Sequence, residues 1–429
     1  MKSLGIGLIG CGVVGGGVVR HADRNREWIV SRCGLDLCVE RVAVRDVTKA
    51  RGVDPSRLTD DWRKVVNDPS VEVVVELMGG MDLAFEVAEA TLNAGKPLVT
   101  ANKALLAERG AALFRLASEK KAPIFFEASV AGGIPIVKAL SEGLRANRIE
   151  RIIGIINGTC NYILTRMERE RLPFADILAE AKDLGYAEAD ERLDVDGLDA
   201  AHKAAILAAL AFGRVVTFEQ VYVEGIRSIT PLDMQFADTL GYTIKLLAIM
   251  RQHVDGKIEV RVHPALVAKA HVLSTIHGVF NAVQVFGDVV GQTLFYGRGA
   301  GADPTASAVL ADVIEAGLVL HGGCSKPCAF NAHEPAELLS MDEVMLPYYV
   351  RLTVLNQPGV LARVASILGA HQIGISSVFQ PEGHHEQHVP LVFLLDRARE
   401  ADMRAAMAEI KQLDVVKDPC QVIRVEELL

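Results

Sequence analysis

The chain has 429 residues, half of them apolar and 23% charged, with a net charge of -9 at pH 7. That length allows two or three domains with sizeable cores, and the acidic balance argues against non-specific binding to nucleic acid or an anionic membrane. No unbroken apolar run reaches the roughly 18 residues of a spanning helix, nothing resembles a signal peptide, and the seven cysteines are scattered, so a cytoplasmic protein with reduced thiols is expected.

Residues 4–9 read as a core strand, and Gly10-Cys11-Gly12-Val13-Val14-Gly15 follows at once before a helix. Glycines in that position permit a tight turn and close backbone approach, leaving the helix N-terminus free to face a pyrophosphate. A second strand, 38–44, ends in Arg45-Asp46, with Lys49 and Arg51 beyond it. An acid at the strand tip binds the ribose hydroxyl of NAD, whereas arginine accommodates the 2'-phosphate of NADP. Arg45 therefore favours NADP(H), and the competing reading makes Asp46 the ribose ligand, with NAD as a possible cofactor.

The alternation continues with strand 71–77, helix 83–93, strand 97–100, helix 105–119 and strand 123–127. Such a pattern makes a parallel sheet wound on both faces, whose ligands lie beyond the strand C-termini. Gly79-Gly80 and Thr100-Ala101-Asn102-Lys103 fall at that edge. A cation is unfavourable at a positive helix N-terminus, so the placing of Lys103 points to function.

Residues 127–135 (EASVAGGIP) join this unit to the next, and one carboxylate with several irregular-backbone carbonyls is a plausible cage for a hard monovalent cation. Strand 149–156 leads into Asn157-Gly158-Thr159-Cys160-Asn161-Tyr162, where Asn-Gly signals a turn and Asn161 is a candidate helix cap. The stretch 181–212 organises the middle of the chain. It opens with Glu188, Asp190, Glu191, Asp194 and Asp196, then becomes a helix, capped by Asp196 on this reading, with apolar residues at helical spacing. Asp199 and Lys203 lie one turn apart in the favourable order. Most such pairs are surface ornaments worth a few tenths of a kcal/mol. Here an acid-rich loop precedes the pair and an apolar turn follows it, and a lysine so placed can be held protonated and aimed as a proton donor.

Segments 221–226, 258–262, 279–286 and 289–295 read as strands without intervening helices, hence an antiparallel or mixed sheet that would pack against its own copy. Residues 297–305 (GRGAGADPT) form a second glycine-rich loop, either a plain helix entry capped by Asp303 with Pro304 at the first position or a return to the cofactor. Residues 321–346 read as linker, and Cys324 and Cys328 have no second pair at zinc spacing. Beyond them strand 348–355, helix 360–370, strands 375–380 and 391–395, helix 398–411 and strand 422–425 give a ferredoxin-like βαββαβ module, with His384, His385 and His388 on a solvated loop.

Gly185-Tyr186, the run of acids, D-x-D-G-x-D over Asp194, Asp196 and Asp199, and the late Lys203 resemble the signature of homoserine dehydrogenases. Thr100-Ala101-Asn102-Lys103 and the Asn157 segment are similar to that family too, and the N-x-P-G-V-L turn at Asn356 resembles ACT domains. One departure is Glu191, where the family usually has proline. The resemblance covers the whole chain and implies an α/β fold: a Rossmann doubly wound domain at 1–130 to which the chain returns at about 297–320, an α+β catalytic and dimerisation domain with a mixed sheet at 131–320, a linker at 321–346, and an ACT domain at 347–429. It implies NAD(P)-dependent reduction of L-aspartate 4-semialdehyde to L-homoserine by a monofunctional enzyme, a homodimer or homotetramer, with threonine as an effector at the ACT domain. By the same resemblance Lys203 donates the proton, Asp199 orients it and Lys103 polarises or relays. Glu188 holds the substrate ammonium, with Asp194, Asn157, Gly158, Thr159 and Lys103 around the substrate. Gly10, Gly12, Val13, Val14, Gly15, Arg45, Thr100, Lys103 and Gly301 hold the cofactor. Glu127 and the backbone of Val130, Gly132 and Ile134 hold sodium or a similar ion that supports the loop. Two other classes stay open: another amino-acid semialdehyde dehydrogenase on this scaffold, and a non-catalytic nucleotide or amino-acid sensor.

Overall fold

The computed structural model describes residues 2–187, 190–322, 331–380 and 387–426. Glu188, Cys324, Cys328, His384 and His385 lie outside the described residues. A six-stranded parallel sheet runs in the spatial order Leu58–Thr59, Leu35–Ala43, Lys2–Ile9, Val73–Glu76, Leu98–Thr100, Ile124–Phe125. Its central strands are continuous apolar runs because helices cover both faces, as parallel sheets require. The helix Arg26–Cys33 was not expected: REWIVSRC buries only Ile29 and so carries little helical periodicity.

The helix Ala302–Gly322 packs on the parallel sheet. Ala306, Val309, Leu310, Val313 and Ala316 share a core with Leu4, Ile6 and Val75. By length and mean hydropathy (1.3) this helix would pass for a membrane span, but that core packing accounts for its apolar face. A Cβ on Gly17 would stand 3.0 Å from the Cβ of Ala306, so glycine there lets the two helices meet. Asp303 does not cap the helix. It is the second helical residue and pairs with Arg20 (2.7 Å) and His21 (2.8 Å), which tie the entry to the first helix of the domain.

The second sheet has ten strands and is mixed. Its path runs Gly291–Arg298, Phe280–Gly287, Ile149–Ile155, Tyr242–Gln252, Ile258–Ala268, Val416–Val425, Met345–Leu355, His388–Arg399, Ile375–Phe379, and Tyr222–Val223 pairs beside it with Ile258–Ala268. Tyr242–Gln252 has no counterpart in the sequence reading: eight consecutive buried residues leave no alternation to see. Expected strand 221–226 shrinks to two residues, while 258–262 extends to Ala268. Gly158–Glu170, Leu198–Phe212 and Pro231–Thr239 all pack on Tyr242–Gln252, on the face that carries Ile244, Leu246, Ala248 and Met250, while Leu247 and Ile249 on the other face share a core with Ile153, Ile155, Ala265 and Val267 that holds no α-helical residue. The expected linker contains the strand Asn331–Pro335, which pairs with Arg214–Val215.

The last four strands of that path belong to the βαββαβ module, in the order 4-1-3-2. It is fused to the catalytic sheet edge to edge, with Ala265 opposite Arg424 and Leu266 opposite Val425 in a parallel pair. Ion pairs anchored on buried arginines line the junction. Arg424 pairs with Glu224 (2.6 Å) and Glu400, Arg351 with Asp233 (2.7 Å), and Arg261 with Glu426.

Candidate active site

The helix Leu198–Phe212 begins after Gly197, whose φ of 83° lies in the left-handed region that glycine enters without strain. Asp196 is therefore not the cap; its carboxylate turns outward to Arg227. One turn in, Asp199 and Lys203 stand on the same face, both buried. Lys203 Nζ donates to Asp199 Oδ2 (2.7 Å) and to the carbonyl of Ile156 (2.9 Å). The other oxygen of Asp199 is 2.7 Å from Lys103 Nζ, on a side chain 40% exposed at the start of the helix Lys103–Lys120. One carboxylate thus bridges a buried ammonium and an open one.

Burial raises the Asp199 carboxyl, yet the two lysines together outweigh it and hold the group below the carboxylate range. Lys203 is lowered, first by burial and also by Lys103, with Asp199 opposing. A lysine brought down toward working pH while still hydrogen-bonded as an ammonium is the better proton donor.

Asn157 caps the helix Gly158–Glu170, its Oδ1 accepting from the Cys160 amide (2.8 Å). Its amide nitrogen donates to Asp194 Oδ1 and Asp199 Oδ2, 2.8 Å each, and so draws Asp194 to the pair. Asp194 is raised, mostly by burial. Asn161 is not the cap; it lies inside the helix, donating to the carbonyl of Phe280 (3.1 Å). Thr159 donates to the carbonyl of Tyr186 (2.7 Å), joining this helix to the acid-rich loop, and Gly158 packs so closely on Val279 that a Cβ would come within 2.8 Å of its carbonyl. Glu191 bonds Lys182 (2.6 Å) and Arg227 (3.2 Å) instead of facing this group.

The segments expected to hold the cofactor lie at the C-terminal edge of the parallel sheet. Gly10 has a φ of 98° and a side chain there would collide with Leu77, while one on Gly15 would collide with the Gly10 carbonyl, so both glycines are required by packing. Gly12 meets nothing within 4 Å, and Val13 beside it, the first residue of the helix Val13–Arg24, is 76% exposed. Open space over an exposed helix N-terminus fits a pyrophosphate. Val14 packs on the same core. Arg45 is exposed at the strand tip, while Asp46 is engaged by Thr48 (2.6 and 2.9 Å). Arg51 reaches the carbonyl of Cys11 in the glycine loop (3.2 Å). Gly301, with a φ of 123°, precedes the returning helix.

The Glu127 group forms a separate cluster. Glu127 accepts from the amides of Val137 (2.9 Å) and Lys138 (2.8 Å), and its own amide donates to Asp312 (2.8 Å). The carbonyl of Ile134 accepts from Ile136 (2.8 Å), and a Cβ on Gly132 would stand 2.7 Å from the Gly299 carbonyl, while Val130 is wholly buried. Asp312 and Glu76 were missed by sequence reasoning. Burial, opposed by Lys138, pushes Asp312 up to about 7. The signal available for each was a lone acid inside an apolar run.

Comparison with known proteins decides what this arrangement is. A family model described as homoserine dehydrogenase matches residues 135–314, its NAD-binding domain model matches 10–127, and an ACT domain model matches 348–415. A homoserine dehydrogenase of Helicobacter pylori is 42% identical over 425 residues, covering 99% of each chain. The chain belongs to the homoserine dehydrogenase family. A solved homoserine dehydrogenase from Thiobacillus denitrificans superimposes with a TM-score of 0.94 at 44% identity, covering 100% of this chain and 99% of that one. A hyperthermophilic archaeal homoserine dehydrogenase in complex with NADPH matches with a TM-score of 0.61 at 30% identity, over 74% of this chain and 98% of that one. As a homoserine dehydrogenase, the chain is an NAD(P)-dependent oxidoreductase acting on a CH–OH group, reducing L-aspartate 4-semialdehyde to L-homoserine in amino-acid biosynthesis. Full-length relatives of one activity disfavour the alternative dehydrogenase and the non-catalytic sensor.

Proposed function

We propose that Lys203 is the proton donor of this reaction, with Asp199 orienting it and Lys103 as the second, more exposed cation. Bound NAD(P)H supplies the hydride taken up by the aldehyde carbon. Lys203 then passes a proton to the nascent alkoxide, and Asp199, touching both lysines, holds Lys203 in line and spreads the charge it loses. The half-exposed Lys103 suits polarising the carbonyl or relaying a proton from solvent. Glu188 holds the substrate ammonium, a role carboxylates fill well, and Asp194 lines the substrate site. Asn157, Gly158 and Thr159 shape the wall on which the substrate lies. The observation that carries the reading is the single buried carboxylate forked between two lysines.

NADP is the preferred cofactor, cradled by Gly10, Gly12, Val13, Val14 and Gly15, with Thr100 and Gly301 facing its nicotinamide end. Arg45 and Arg51 supply guanidinium charge for a 2'-phosphate while Asp46 is occupied by Thr48. The NADPH of the archaeal relative is in keeping with this. Glu127 and the carbonyls of Val130, Gly132 and Ile134 would hold a sodium ion or a similar cation, whose charge would support the loop that meets Gly299. The enzyme works in the cytoplasm as a homodimer or homotetramer, and threonine acts at the ACT module. The deciding experiment is turnover of aspartate semialdehyde with NADPH against NADH, with and without threonine. Faster turnover with NADPH and inhibition by threonine are expected. Equal rates with both cofactors would remove the NADP assignment, and indifference to threonine the effector.

A further inference from the structure

Glu76 ends the strand Val73–Glu76, is fully buried, and forms no ion pair among the described residues. An unpaired carboxylate is costly to bury, and burial raises its pKa here despite several hydrogen bonds. Stability alone would favour a neutral side chain in this place. Its bonds show what the acid achieves. Oε1 accepts from the amide of Met78 (2.8 Å), and the Gly79 amide also points at the carboxylate. Oε2 accepts from the hydroxyl of Thr100 (2.7 Å), at the end of the neighbouring strand. Thr100 Oγ1 in turn accepts from the amide of Asn102 (3.1 Å), and the side-chain nitrogen of Asn102 donates to the carbonyl of Gly80 (2.7 Å). The circuit closes through Gly79 and Gly80, both at positive φ. Asn102 is also the cap that accepts from Leu105 (3.1 Å) and starts the helix on which Lys103 stands.

We propose that Glu76 is a positioning residue for the reaction: its carboxylate locks the 77–81 turn and the 100–103 turn into one surface toward the dinucleotide, and so sets Lys103 against Asp199. This rests on the reading that those turns face NADPH. A carboxylate can accept from two turns at once, whereas glutamine offers a single acceptor oxygen and must present an NH2 group to one of them.

The test is NADPH titration by fluorescence, with thermal melts, on the wild type, Glu76→Gln, Thr100→Val and the double variant. Glu76→Gln and Thr100→Val should each weaken NADPH binding about ten-fold, the factor expected for one lost charge-assisted hydrogen bond. The double variant should bind no more than about two-fold more weakly than the poorer single one, because both break the same link. Glu76→Gln should melt at or above the wild-type temperature. NADPH binding by Glu76→Gln within two-fold of wild type, or losses that multiply in the double variant, would overturn the proposal. So would a melt far below wild type, which makes the carboxylate merely structural. A wild type without saturable NADPH binding removes the cofactor reading beneath it instead.

Discussion

Among the described residues of the catalytic domain two lysines are buried, and their surroundings differ in one respect. Lys203 has a carboxylate 2.7 Å away, and Lys245 has neutral oxygens, the carbonyl of Ile276 (2.5 Å) and Oδ1 of Asn161 (3.3 Å). Both are lowered by burial, Lys245 to about 8. With Asp199 beside it, the ammonium of Lys203 persists in a closed site and has a partner when its proton leaves. Lys245, in a strand of the mixed sheet, has no such carboxylate among the described residues and serves to satisfy two buried acceptors. On the proposed reading, burial alone does not make a proton-donating lysine; burial beside a shared carboxylate does.

The largest effect that separates the two regions is on turnover. Lys203→Met should lower kcat about 10³-fold, within the usual span for a lost general acid, and leave NADPH affinity within about three-fold. Comparable loss of NADPH binding on titration would deny Lys203 its role. Asp199→Asn should come next, costing about 10²-fold, since Lys203 and Lys103 then face each other across a neutral amide. Their repulsion lowers Lys203 further, so the alkaline limb of the reduction profile should move to lower pH. An unmoved limb would show that Asp199 does not control the lysine. In the wild type, reduction needs the ammonium and should fade as pH rises through the lowered Lys203 value, whereas homoserine oxidation needs the free amine and should gain over that interval. Parallel limbs in the two directions, measured as kcat against pH, would contradict proton donation by this group.

The contrast also marks what can be read from the chain. Asp199 and Lys203 are four residues apart on one helix, a relation the sequence states outright. The parallel sheet is equally plain, because each βα unit is local and its strands are unbroken apolar runs. Lys245 sits in Tyr242–Gln252, which the sequence hides: a strand covered on both faces has no period of two, and its partners Ile149–Ile155 and Ile258–Ala268 are set by long-range pairing. Caps mislead in the same way. Asp196 and Asp303 have the composition of helix starts, but Arg227, Arg20 and His21 compete for those carboxylates, and Gly197 supplies the turn by conformation. Lys103 is singled out by its awkward charge at a helix start, whereas Glu76 and Asp312 show only as lone acids in apolar runs, because the partners that would explain them come from distant segments.

The smallest effect belongs to Lys245 and tests the other side of the comparison. A lysine lowered in the folded state binds fewer protons there than in the unfolded chain, so the fold gains stability as pH rises from about 8 toward the ordinary lysine value. Each tenfold difference in proton affinity between the two states corresponds to about 1.4 kcal/mol, which makes the gain over that interval on the order of 3 kcal/mol. Lys245→Met removes the buried charge and orphans two acceptors, terms of about 1–3 kcal/mol each that oppose one another, so the variant should melt near the wild type at pH 7. Between pH 8 and 10 the wild type should gain on the variant in urea unfolding, while kcat at pH 7 stays within about three-fold. If the two unfolding curves move in parallel with pH, Lys245 is not the buried cation described here; if kcat collapses with it, the distinction between the two lysines fails, because the one without a carboxylate would then be doing chemistry as well.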